Sequence, residues 1–373
     1  MRTTPTTLPA TATTATLLLA TCLALTAQAQ SYTLVDLTPT TAYNSVNALS
    51  PAGAVGFTAP TISLAQTHAT LWDGSNATDL HPAWLDANGT IGRSSAMGIA
   101  DTLQVGWGAG ASTGNRPTPL MWRGTAASAT VLTIPFVNAG AQATATDGTQ
   151  IVGYGTALNR DGTAFGPSRA ILWDAASGAA VDLGDGGGGA VALGVGGGKQ
   201  VGYVFKALAN AAVWSGSSKS LVVMHPKGAV ISAAYGTDGA RQVGYSGYDV
   251  RVRVEAVKGN KDARFYYATV WNGTSASAQI IHPFSFAHSY ATAVNGTFIA
   301  GYAADQTKLG TPAYYHAIVW DTDFQPIDLN AYLPSGYVGS QAFAVDAHGN
   351  VAGSMVAADG TRHAVLWMLN QGR

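Results

Sequence analysis

His68-Ala69-Thr70-Leu71-Trp72 and, ending six residues before the last residue, His363-Ala364-Val365-Leu366-Trp367 are two copies of one element. Its signature, an apolar residue followed by tryptophan, recurs as Leu71-Trp72, Met121-Trp122, Leu172-Trp173, Val213-Trp214, Val270-Trp271, Val319-Trp320 and Leu366-Trp367, at spacings of 50, 51, 41, 57, 49 and 47 residues. A second mark runs in step with it: Val55-Gly56-Phe57, Val105-Gly106-Trp107, Val152-Gly153-Tyr154, Val201-Gly202-Tyr203, Val243-Gly244-Tyr245, Ala300-Gly301-Tyr302 and Ala352-Gly353-Ser354. Two independent marks of equal count define an internal repeat of roughly 50 residues.

Each repeat parses into four short strands, in the first full unit 68–72, 77–80, 95–100 and 104–108. The hairpins between them carry Asp147-Gly148, Asp238-Gly239 and Asn295-Gly296, pairs that favour the positive φ of tight turns. Four antiparallel strands per unit is the size of a propeller blade. The ends of the chain complement each other. Segments 32–37, 45–49 and 54–58 match the second, third and fourth strands, whereas 362–367 supplies only a first. A linear array would need polar caps at both ends, but joining the ends removes two open sheet edges. The expected fold is therefore all-β: a seven-bladed β-propeller with four antiparallel strands per blade, the last blade closed by three N-terminal strands plus one C-terminal strand.

Residues 1–29 read as a cleaved signal peptide: Arg2, an apolar run from Leu17 to Leu25, and Ala27-Gln28-Ala29 as the cleavage pattern. Residues 30–373 then form one propeller domain, secreted or periplasmic. A lipid-attachment reading of Leu19-Ala20-Thr21-Cys22 is disfavoured by the threonine directly before the cysteine. Cys22 is the only cysteine, so the mature chain has no disulfide or thiol chemistry. Charged residues make up 10% of the chain and the net charge is −1, which argues against nucleic acid as a partner. No stretch after the signal shows helical periodicity or a membrane span.

The residues preceding the tryptophans resemble the HAF family of bacterial extracellular repeats. His68-Ala69, His316-Ala317 and His363-Ala364 stand four and three residues before the repeat tryptophan, Asp182-Leu183-Gly184 matches the family's Asp-Leu-Gly element, and the segment from Ala291 to Tyr302 matches its closing element. The phenylalanine of the family element is missing throughout, and four of the seven copies lack the histidine. The resemblance implies an exported repeat protein and no particular activity.

Trp72, Trp122, Trp173, Trp214, Trp271, Trp320 and Trp367 read as packing residues between blades rather than sugar platforms, because one large aromatic at the same place in every unit is what a repeated core requires. The histidines four residues before them come from separate blades, whereas a metal needs ligands converging on one point, so no metal or cofactor is expected. The connectors between units and the loops after the second strand share one face, and the connectors are the long ones. The loops after the second strand carry prolines with rings or imidazoles: His81-Pro82-Ala83-Trp84, Ile134-Pro135-Phe136, His225-Pro226, His282-Pro283-Phe284, and Leu333-Pro334 followed by Tyr337. Either these rings fold over the blade edge or His81, Trp84, Phe136, His225, His282, Phe284 and Tyr337 form a ligand-binding surface. The basic insert Arg251, Arg253, Lys258, Lys261 and Arg264 reads as a solvated loop diluted by Glu255 and Asp262, and Asn-Gly-Thr at Asn88, Asn272 and Asn295 as turns.

No nucleophile elbow, phosphate loop or zinc motif is present, so no catalytic residue is assigned. The expectation is a monomeric, non-enzymatic binding or scaffold module for an extracellular carbohydrate or an envelope or matrix partner. The alternative is a polysaccharide hydrolase or lyase at the mouth of the central channel.

Overall fold

The computed structural model describes residues 30–38, 43–74, 76–86, 91–136, 139–158, 165–184, 186–254, 259–304 and 314–370. The signal segment, Asn88 and the side chains of Arg253, Lys258 and Lys261 lie outside the described residues.

The chain is an all-β propeller. Five separate sheets have four consecutive antiparallel strands each, as in Ala190–Gly196, Lys199–Phe205, Ala209–Trp214 and Val222–Val223. The expectation of seven separate blades is corrected to five, because the remaining eight strands form a single sheet. In that sheet Tyr337–Val345, Val351–Ala357 and Arg362–Leu369 continue into Tyr43–Ser50, Gly53–Ala59, His68–Asp73 and Asn76–Asp79, and the two runs meet at one parallel bridge, Tyr43 to Arg362. Closure is corrected as well. One N-terminal strand, Tyr32–Asp36, pairs antiparallel with Arg362–Leu369 from Tyr32–Leu369 to Asp36–Val365. Thus three C-terminal strands receive one N-terminal strand, the reverse of the expected partition.

Neighbouring sheets cover both faces of each sheet, so the strands are built from small and β-branched residues instead of a polar alternation. Seven buried clusters result, each holding one repeat tryptophan. One joins Val152, Ala170, Leu172 and Leu183 of one sheet to Ala190, Ala192, Val204, Ala212 and Trp214 of the next. Every repeat tryptophan is at most 1% exposed. Trp173 and Trp320 donate their indole N–H to the carbonyls of Thr133 and Ile281 at 3.0 and 2.7 Å.

The recurrent glycine has a steric cause. Each innermost strand slips register by one residue at the same point, leaving Asn47, Met97, Thr144, Leu193, Tyr235, Thr292 or Phe343 unpaired. Such a bulge tips the neighbouring backbone toward the partner strand. A Cβ on Gly56, Gly106, Gly153, Gly202, Gly244, Gly301 or Gly353 would sit 1.8 to 2.1 Å from the carbonyl oxygen of the residue that precedes its register partner. No side chain fits there.

Candidate functional site

The bulged residues and the two that follow each of them line an open central cavity of about 540 Å³. Asn47 donates to the carbonyl of Ala96 at 2.8 Å, Thr144 to that of Ala192 at 2.9 Å and Thr292 to that of Ala342 at 3.0 Å. These three polar side chains therefore join one innermost strand to the next. Met97, Leu193, Tyr235 and Phe343 supply the remaining bulged side chains, and the described lining holds no carboxylate, imidazole, lysine or arginine. Burial pushes the Tyr235 and Tyr302 phenols well above their ordinary range, so both stay protonated as neutral donors.

Rings run outward from the cavity on one arc only. Tyr235 lies 5.7 Å from Tyr245, Tyr245 5.3 Å from Tyr290, Tyr290 5.0 Å from Tyr302 and Tyr302 6.2 Å from Phe343. Burial raises Tyr245 to about 12. The sequence reading missed this arc: Tyr245 and Tyr302 sit at the repeat position that other units fill with Phe57, Trp107 or Ser354, whereas Tyr235 and Phe343 are bulged residues and Tyr290 faces Tyr302 from the innermost strand, positions that carry no repeat mark.

The candidate histidines have structural partners. Ser232 Oγ accepts the backbone N–H of Ala211 at 2.9 Å and donates to His225 Nδ1 at 2.8 Å, while His225 Nε2 donates to the Ala229 carbonyl at 2.9 Å. Ser289 repeats this with Ala268, His282 and the Phe286 carbonyl at 2.9, 2.7 and 2.9 Å. In the neutral tautomer that this arrangement suits, the carbonyl takes the Nε2 proton and Nδ1 accepts from the serine, and burial lowers His282. His81 is buried with Nδ1 at 2.8 Å from Ser94 Oγ and Nε2 at 3.1 Å from Asp86, and it stacks on His68 at 4.0 Å. The signal was present in the sequence as a serine seven residues after His225 and His282.

The seven candidates come from five loops, and the structure brings only some of them together. Phe284 is 99% exposed, with its ring 6.3 Å from His282 and Tyr267 4.5 Å beyond. Tyr267 and His282 line a cavity of about 340 Å³ together with Phe265, Ser285 and Phe286. Trp84 is 40% exposed in another loop, Phe136 packs against the cluster of Trp173, and the Tyr337 hydroxyl lies 3.2 Å from His363 Nδ1.

The histidines before the tryptophans are also explained. His68 pairs with Asp79 at 2.9 Å, His316 with Asp328 at 2.8 Å and His363 with Asp36 at 2.7 Å, and Arg169 takes the same place against Asp182. The other carboxylate oxygen accepts a backbone N–H two residues on, from His81, Asn330, Thr38 and Gly184 respectively. Each aspartate thus sits at or near the end of its outer strand and ties it to the neighbouring strand. Among the described residues no three His, Cys, Asp or Glu side chains converge as a metal would require.

No protein-family model matches the chain, and no curated protein does. Among solved structures, the β-propeller domain of the Trilobed protease from Pyrococcus furiosus superposes with a TM-score of 0.53 at 11% identity, over 89% of this chain and 95% of that one. A puromycin-hydrolysing peptidase from Mycobacterium tuberculosis gives 0.50 at 14% identity, over 90% of this chain and 54% of that one, so the chain spans about half the peptidase. The polysaccharide lyase Uly1 gives 0.47 at 10% identity, over 90% of each chain. At these identities the likeness shows the propeller fold alone. No helix among the described residues is long and apolar enough to cross a membrane.

Proposed function

We propose that this is an exported, monomeric binding or scaffold propeller of the HAF-repeat type that acts on its long-loop face without catalysis. The observation that carries the reading is Phe284, a fully exposed ring 6.3 Å from His282, which itself lines an aromatic groove. Exposed apolar surface rimmed by polar groups marks an interaction site. Hydrolysis or elimination at the channel mouth would need a positioned acid and base. The described cavity lining offers neither, and its phenols are shifted away from the range of a base. Tyr267, His282 and Phe286 suit an extracellular glycan.

The eight-stranded sheet counts in this reading as two blades, giving seven. Support comes from the single bridge at Tyr43–Arg362, set against full ladders within each half, and from seven tryptophan clusters. Export predicts a mature N-terminus at Gln30, read by mass spectrometry of the secreted or periplasmic protein.

A glycan array with product analysis tests the function. Retention of a glycan without released fragments is expected, with binding weakened about tenfold in Phe284→Ala, within the range of an aromatic contact residue. Released fragments, or unchanged retention in the double variant Trp84→Ala/Phe284→Ala, would reject it.

A further inference from the structure

Arg362 is the arginine whose surroundings the fold does not explain. It starts the third strand of the C-terminal run and bridges to Tyr43, and its guanidinium carbon lies 5.3 Å from the Tyr43 ring centre. Its Nε is buried with no hydrogen-bond partner. Its Nη1 reaches Gln341 and Ser354 only at 3.4 Å each, and no carboxylate among the described residues forms an ion pair with it. By contrast Arg169, Arg241 and Arg264 are each paired with an aspartate. A buried donor on a charged group left unmatched is a feature that calls for a missing partner.

Arg362 lines a pocket of about 400 Å³ together with Tyr314, Tyr315, Gln341, Asp359 and residues 356–358. Tyr314 is 45% and Tyr315 37% exposed, so two ring surfaces stand open beside the cation. Asp359, the carboxylate on this rim, has Oδ1 occupied by the Thr361 N–H at 2.8 Å. A planar fork of donors fits a carboxylate in two-point contact. A guanidinium held over Tyr43 is already ordered for that contact, which lowers the entropy lost on binding. Exposed tyrosine rings beside an anion receptor match the C–H face of a pyranose that carries an acid group.

We propose that this pocket binds a uronate residue of an acidic glycan, with Arg362 holding the carboxylate and Tyr314 and Tyr315 flanking the sugar ring. This rests on the binding-module reading and places a second contact on the long-loop face, away from Phe284.

Titration calorimetry with tetragalacturonate, with the same oligomer reduced at its carboxyl groups, and with a short peptide ending in a free carboxylate provides the test. The uronate oligomer binds, and carboxyl reduction or Arg362→Gln weakens it about tenfold or more, as expected for loss of one partner of a close charge pair. Arg362→Lys keeps the charge but loses the fork and falls between. Because Arg362 lies at the ring closure, Tyr314→Ala on the exposed rim gives a second variant: weaker binding with an unchanged melting temperature is expected. Equal binding of the reduced oligomer, unchanged affinity in folded Arg362→Gln or Tyr314→Ala, or binding of the peptide in preference to the uronate overturns the proposal. Retention of neutral glycans that depends on Phe284 and ignores Arg362 sinks this pocket alone, whereas no retention of any glycan sinks the binding-module reading with it.

Discussion

The sheet built from residues 190–223 and the seam where residues 32–36 meet 362–369 use the same parts, yet the chain assembles them differently. In the first, four strands follow one another and every partner is local. At the seam, His363 finds Asp36 across 327 residues of sequence, Ala364 donates its N–H to Thr38 Oγ1 at 2.9 Å, and Leu37 donates to the Ala364 carbonyl at 2.9 Å. Thr38 fills the place that Ser232 fills for Ala211. The same chemistry recurs because the local geometry of each outer strand is the same. What differs is the entropy of bringing the ends together, which grows only slowly with loop length, so closing over the whole chain is feasible with ordinary contacts.

The sharpest way to break that equivalence is the glycine. Gly202→Val and Gly353→Val each force a Cβ to 1.9 Å from a backbone carbonyl, of Val191 in one sheet and Gln341 beside the seam. Neither carbonyl can retreat without losing the bulge. Both variants should fail to give soluble folded protein, an effect larger than about 4 kcal/mol. A folded Gly353→Val beside an unfolded Gly202→Val would mean that the seam tolerates what an ordinary sheet does not.

Next in size are the tryptophans. Trp173→Ala should lose roughly 3–5 kcal/mol in urea unfolding, and Trp367→Ala, equally buried at the seam, the same. A loss below about 1 kcal/mol at either position contradicts its place in a core cluster.

These two marks were legible in the sequence because sterics and burial act on the same residue in every unit. The phase of the repeat was not legible. A periodic pattern is unchanged by sliding its starting point, and only hydrogen bonding shows that the antiparallel run of four strands starts at the one holding Val46 and ends at the one holding Asp79. The sequence reading started the unit at His68 and so inverted the closure from one strand plus three to three plus one. The fusion of the end sheets through Tyr43 and Arg362 left no periodic trace either. At the candidate site, the exposed ring of Phe284 was found from its loop position. The imidazoles beside it were read as candidate ligands because the serines that hold them sit on a different strand, and Arg362 stood in the copy of the repeat with the least regular neighbours.

The smallest effects separate the two kinds of histidine, and the seam from an ordinary sheet. Asp36→Asn should lower the melting temperature more than Asp79→Asn, since the seam pair is 11% and 23% exposed against 33% and 61% for His68 and Asp79, though both losses stay below about 1 kcal/mol. The pH profile gives a stricter test, because His68 and His282 shift in opposite directions. The hydrogen bond to Asp79 raises His68 above its ordinary value, so the folded state holds that proton more tightly than the unfolded chain. Its stabilisation is complete below about pH 6.5 and disappears as pH rises through the folded value. Burial lowers His282, so the unfolded chain takes up the proton first, and stability is complete above about pH 6.5 and falls on acidification. Urea unfolding at descending pH should therefore show the gap between wild type and His282→Gln shrinking, while the gap to His68→Gln widens. If both gaps move the same way, the neutral serine-held imidazole and the aspartate-paired imidazole are not the distinct devices that their hydrogen bonds describe.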